Sequence, residues 1–134
     1  GDAVVVGVNG YFGERLCEMA SRHGAQVTRV EAAWGQIIEP DQVERALTGQ
    51  RAKLVAVVHA ETSTGVLQPI RPIAEVCKRH GARIMVDDAH SIGVLGGGRG
   101  TAAHFGVTDQ VDLIMVPSAS RSLRWADSSR AAKM

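Results

Sequence analysis

Residues 4–31, VVVGVNGYFGERLCEMASRHGAQVTRVE, constrain this chain more than any other stretch. An apolar run, Val4–Val8, ends among glycines at positions 7, 10 and 13. A segment of helical period follows, and a second run, Gln26–Val30, ends in an acid, Glu31. Runs that are apolar throughout are buried on both faces, and two of them joined through a helix form a parallel pair. The stretch therefore predicts a strand–helix–strand unit inside a covered sheet.

The same alternation continues downstream. Further runs fall at Leu54–Val58, Arg83–Val86 and Val111–Val116. The first helix is expected over Glu14–His23, with Leu16, Cys17, Met19 and Ala20 on its inner face and Gly24 as its stop. Pro40-Asp41 opens a second helix through Leu47. A third carries Pro72 in its first turn and the stripe Ile73, Val76, Cys77, ending at His80-Gly81. Alternating strands and helices at this spacing predict an α/β fold: a three-layer, Rossmann-like, mostly parallel sheet with helices on both faces. Gly96–Gly100, GGGRG, predicts a mobile or tightly turned loop.

At 134 residues the chain is one domain or part of one. A net charge of +1 with scattered basic residues supplies no basic face for nucleic acid. Cys17 and Cys77 each fall inside a helical pattern and are expected as buried thiols, not as a bridge. No stretch has the length of a membrane span and no secretory leader pattern is present, so a cytoplasmic setting is expected. No spacing of ligands points to a metal.

The glycines at 7, 10 and 13 admit two readings. A strand ending in glycine can let the backbone approach a pyrophosphate held at the helix N-terminus, with Glu31 placed to bind ribose hydroxyls. The G-x-x-G-x-x-G spacing resembles the extended short-chain dehydrogenase/epimerase family, which implies a nicotinamide dinucleotide. The other reading is a tight turn that packs the helix closely on the strand. The Tyr-x-x-x-Lys of those dehydrogenases is lacking, since the only tyrosine is Tyr11.

Residues 83–107, RIMVDDAHSIGVLGGGRGTAAHFGV, carry the most chemistry: a strand delivers two carboxylates, Asp87 and Asp88, at its carboxyl end, followed by His90. The run Val86-Asp87-Asp88-Ala89-His90-Ser91-Ile92-Gly93, with Gly98-Arg99-Gly100 and His104-Phe105-Gly106, resembles the α-oxoamine synthases of the serine palmitoyltransferase and aminoketobutyrate CoA ligase type. Their motif has glutamate where Asp88 stands. Upstream, VNGYFGERLCEMASRHGAQV and VVHAETSTGVLQPI are similar to class V aminotransferases of the alanine–glyoxylate or serine–pyruvate type, whose Glu-(Ser/Thr)-Ser-Thr-Gly loop matches Glu61–Gly65. Both are fold-type-I pyridoxal-phosphate transferases, and the resemblance changes from one to the other near residues 80–90.

The resemblance implies roles residue by residue. Asp87 would hold the pyridine nitrogen of pyridoxal 5'-phosphate, keeping it protonated so that the ring accepts electrons. His90 and Thr62 would hydrogen-bond its phenolic oxygen, and Ser118 a phosphate oxygen. Asp88 is expected to face solvent or cap a helix. Arg121 stands where these families place the Schiff-base lysine, and a guanidinium stays protonated and cannot act as that nucleophile. Residues 1–123 are thus expected to form part of a transferase large domain, with 124–134 a disordered tail. The sequence reads as a truncated, chimeric or designed fragment without catalysis on its own. Implied partners are an amino acid, keto acid or acyl-CoA, and further copies of the chain in a homo-oligomer. A non-catalytic scaffold remains the other alternative.

Overall fold

A computed structural model describes residues 1–116. They fall into two compact units, divided between Ala82 and Arg83. The expectations for Ser118, Arg121 and the tail lie outside the described residues.

In the first unit, β1 (Ala3–Val8) is the central strand of a parallel sheet, flanked by β2 (Gln26–Glu31) and β3 (Leu54–Ala56) in the order β2-β1-β3. Register runs Ala3 opposite Gln26 to Val8 opposite Glu31, and Val4 opposite Leu54. Successive side chains of β1 point to opposite faces, so its unbroken apolar run fills two cores at once. Val4, Val6 and Val8 pack with Cys17 of α1 (Tyr11–Arg22). Val5 packs on the other face with Val43 and Leu47 of α2 (Pro40–Thr48) and with Ile73, Val76 and Cys77 of α3 (Ile70–Arg79). Helices therefore cover both faces of this sheet. Both thiols are buried and free, and burial pushes each above its ordinary range.

The expected helices are present, with one informative shift. Helix α1 begins three residues before the expected Glu14, at Tyr11, because its first amides are satisfied by groups distant in sequence. A hairpin of two-residue strands, β4 (Ala60–Glu61) and β5 (Val66–Leu67), was not legible in the periodicity. Buried Gln68 follows it, and its side-chain amide makes both backbone bonds of Ile38, at 2.7 and 2.9 Å.

In the second unit, β6 (Met85–Asp87) pairs in parallel with β7 (Leu113–Met115), and a four-residue helix, α4 (Thr101–His104), lies between them in sequence. The glycine-rich stretch is tightly turned: Gly96–Gly98 forms a single 3-10 turn. Among the described residues no helix is long and apolar enough to cross a membrane.

Candidate functional site

The first candidate site is the N-terminus of α1, where a dinucleotide phosphate would lie. It is filled from within the protein. Glu61, fully buried, accepts the Phe12 and Gly13 N–H groups with Oε2 at 3.1 and 3.2 Å. Its Oε1 accepts the Ser63 hydroxyl at 2.5 Å and the Ser63 N–H at 3.3 Å, and the Ser63 hydroxyl accepts the Tyr11 N–H at 2.9 Å. An internal carboxylate thus occupies the dipole end that would otherwise attract an anion.

Each glycine of the opening stretch answers to space. A Cβ on Gly10 would lie 2.5 Å from Glu61 Cγ and 2.6 Å from Cδ. One on Gly13 would lie 2.9 Å from the Gly7 carbonyl oxygen and the Val8 Cα, so α1 packs backbone to backbone on β1. Glu31, the presumed ribose ligand of the dinucleotide reading, instead accepts Arg29 Nε at 2.7 Å, while Arg29 also reaches Glu14 at 2.5 Å. That reading is therefore corrected: its phosphate cradle and its acid both serve internal contacts. Accordingly NAD and NADP at millimolar concentration should leave the melting temperature unchanged, whereas a saturable upward shift would restore the dinucleotide site.

Thr62 and Ser63 sit at the tip of the β4–β5 hairpin, with Thr62 exposed. The turn closes through the Thr64 and Gly65 N–H groups, both donating to the Glu61 carbonyl, and Gly65 adopts φ +75°, which glycine reaches without strain. The Glu61 side chain thereby ties the loop that displays Thr62 to the start of α1. His59, without an assigned role in the sequence reading, places Nδ1 2.9 Å from the Gln68 carbonyl oxygen.

The second candidate site is the carboxyl end of β6. Its two adjacent carboxylates have opposite fates. Asp88 is 2% exposed; its Oδ2 accepts the Thr101 N–H at 2.8 Å and its Oδ1 accepts the Ser91 hydroxyl. Ser91 Oγ lies 2.7 Å from Thr101 Oγ1. Burial pushes the Asp88 carboxyl up, but the bonds from Ser91 and Thr101 outweigh it and hold the group below the usual carboxylate range. Gly100, at φ +91°, makes room for this contact, since a Cβ there would collide with Asp88 Oδ2. Of the two expectations for Asp88, the cap holds and the solvent-facing carboxylate does not.

Asp87 is exposed, and its Oδ1 accepts only the Ala89 N–H, at 3.1 Å, among the described residues. His90 is exposed two residues after Asp88. The structure places Asp87 at the last position of β6, His90 on the turn just after it, and Thr62 in the first unit. Glu61 and Asp88 are the residues whose importance the sequence reading missed. A signal existed for Glu61: α1 begins after Gly10 with Tyr and Phe, so no side chain at the cap position can satisfy its first amides, which are left to water or to a distant group. Among the described residues no group of three His, Cys, Asp or Glu side chains could hold a metal ion.

Comparison with known proteins sets these features in a family. The class-V aminotransferase family matches residues 1–95. The chain is 39% identical over 92 residues to the (S)-ureidoglycine–glyoxylate transaminase of Bacillus subtilis (strain 168), which covers 69% of this chain and 22% of that protein. It is 33% identical over 126 residues to the 8-amino-7-oxononanoate synthase of Mycobacterium bovis, covering 89% of this chain and 32% of that protein. That second match runs through residues 80–90, where the motif resemblance changes. The alanine–glyoxylate aminotransferase of Nostoc sp., solved by crystallography, superposes with a TM-score of 0.66 at 39% identity over 87% of this chain and 29% of its own. The chain thus spans between about a fifth and a third of the length of these proteins. Its two units are part of a fold-type-I large domain. By the match over residues 1–95, the chain belongs to the class-V aminotransferase family.

Proposed function

We propose that this chain contributes to the cofactor site of a pyridoxal-phosphate-dependent transferase of aminotransferase or α-oxoamine synthase type, with Asp87 as the ligand of the pyridine nitrogen. The observation that carries this is the division between the two carboxylates of β6. Asp88 is spent on internal hydrogen bonds, whereas Asp87 is exposed at the carboxyl end of a parallel strand with Oδ2 uncommitted among the described residues. A free carboxylate suits a protonated ring nitrogen, and a buried, doubly hydrogen-bonded one does not. The residues present therefore fit the cofactor at this end.

When bound, pyridoxal phosphate supplies an electron sink for the substrate α-carbon. Asp87 would keep a proton on the pyridine nitrogen, and His90 would offer a ring N–H to the phenolic oxygen. By the resemblance alone, Thr62 would be a further ligand of the phenolic oxygen and Ser118 would give its hydroxyl to a phosphate oxygen. With Arg121 at the lysine position, the chain alone holds the cofactor without turnover. The substrate class is an amino acid with a keto acid or an acyl-CoA. A homo-oligomer in the cytoplasm completes the reading.

The test is a titration of the full chain with pyridoxal phosphate, followed by absorbance and induced circular dichroism. Asp87→Asn should weaken binding about tenfold or more, the worth of one hydrogen bond to a charged group. Because Asp87 is exposed, its melting temperature should hardly move. Saturable binding indifferent to Asp87→Asn would place the ring elsewhere.

A further inference from the structure

We infer that Asp88 is a positioning residue for the cofactor site: its buried carboxylate locks the turn that leaves the strand at Asp87 and carries His90, and the inference rests on the reading of that site given above. Asp88 is tied at every polar group. Its N–H donates to the Met115 carbonyl at 2.8 Å, which holds the strand end against β7. Its carbonyl accepts the Ser91 and Ile92 N–H groups at 3.3 and 3.4 Å, closing the turn over Ala89 and His90. Its carboxylate reaches forward, taking the Ser91 hydroxyl on one oxygen and the Thr101 N–H on the other.

The two residues assigned to the cofactor flank this anchor, one before it and one two positions after. Neither Asp87 nor His90 is buried, so packing does not hold their direction. Asp87 is held by the pairing of β6 with β7 and His90 by the turn that follows, and the Asp88 carboxylate pins that turn to the segment that begins at Gly100-Thr101. That explains two features of the motif which cofactor contact does not: a second acid directly after the first, and a Gly at position 100 where any side chain would displace the carboxylate. A misaimed ligand loses affinity even when every group is still present.

The experiment compares full-length variants at a temperature where each is shown folded by far-ultraviolet circular dichroism. Asp88→Asn keeps the shape but removes the negative charge and one accepting oxygen, so either the Ser91 hydroxyl must reverse its bond or the Thr101 N–H loses its acceptor. The variant should weaken pyridoxal phosphate binding about tenfold and reduce the induced dichroism of the bound cofactor. Val111→Ala, buried in the same unit but outside these hydrogen bonds, serves as the control for destabilisation alone. It should lower the melting temperature and leave affinity within about twofold. Should Asp88→Asn not fold, Ser91→Ala removes one of the carboxylate's two bonds and should weaken binding about threefold.

Affinity kept by Asp88→Asn or Ser91→Ala, or lost equally by Val111→Ala, would reduce Asp88 to a structural residue. If Asp87→Asn weakens binding while the Asp88 and Ser91 variants do not, only the positioning role falls. If the wild-type chain binds no pyridoxal phosphate, or Asp87→Asn changes nothing, the site itself falls and the positioning role with it.

Discussion

Glu61→Ala should destabilise the first unit by about 2–4 kcal/mol, because it leaves the buried Gly13 amide unsatisfied at about 1–3 kcal/mol, takes the acceptor from the part-buried Phe12 amide and removes the anchor of the Thr62 loop. Native domains have only about 5–15 kcal/mol in all, so the variant should sit near its unfolding threshold at room temperature. Gly10→Ala should cost about 1–3 kcal/mol by overpacking, since the new methyl meets Glu61 Cγ and Cδ. The strain is not conformational: Gly10 has φ 173°, extended backbone open to any residue.

The two effects should therefore couple strongly. In the Glu61→Ala background the methyl escapes Glu61 and keeps only its close approach to Ser63 Oγ, at 2.7 Å, so Gly10→Ala should cost clearly less there. Urea unfolding of the four proteins checks this, with an expected coupling of about 1–3 kcal/mol. Strict additivity would show that Gly10 is required for some other reason than the approach of Glu61. The same cycle bears on the opening motif, because a glycine serving an absent phosphate would show no coupling to a carboxylate 51 residues away in the chain.

Arg121→Lys is expected to turn a chain that cannot be covalently labelled at residues 112–123 into one that can. The native guanidinium stays protonated and delocalised, so borohydride treatment with pyridoxal phosphate should leave no cofactor mass on that stretch. A lysine there supplies an amine whose pKa a cationic cofactor ring held beside it can lower toward neutrality. Peptide mass analysis should then find the reduced cofactor at position 121, and Asp87→Ala in the same background should diminish it. Labelling of the unaltered chain at Lys53, Lys78 or Lys133, together with amine-transfer activity, would show that the lysine position has been misassigned.

What the sequence by itself determined is the part governed by local periodicity and punctuation. The apolar run Val4–Val8, the helical stripes at Cys17 and at Ile73–Cys77, and the stops at Gly24 and Gly81 sufficed to order strands and helices. They also sufficed to expect cover on both faces of the sheet. The position of Asp87 at the carboxyl end of a strand was legible too, whereas its proposed role and that of His90 came from the resemblance. Only the tertiary structure decided what each polar group does. Gly10 looks the same in sequence whether it admits a phosphate or a carboxylate; the answer came from a hairpin whose two-residue strands leave no periodic trace. Asp87 and Asp88 are the same residue side by side, yet one is exposed and the other buried under Thr101. Periodicity reports which face a side chain occupies, whereas the partner of a carboxylate is set by chain that returns to it from 13 to 49 residues away. That information is carried by the approach of distant backbone, and no local pattern contains it.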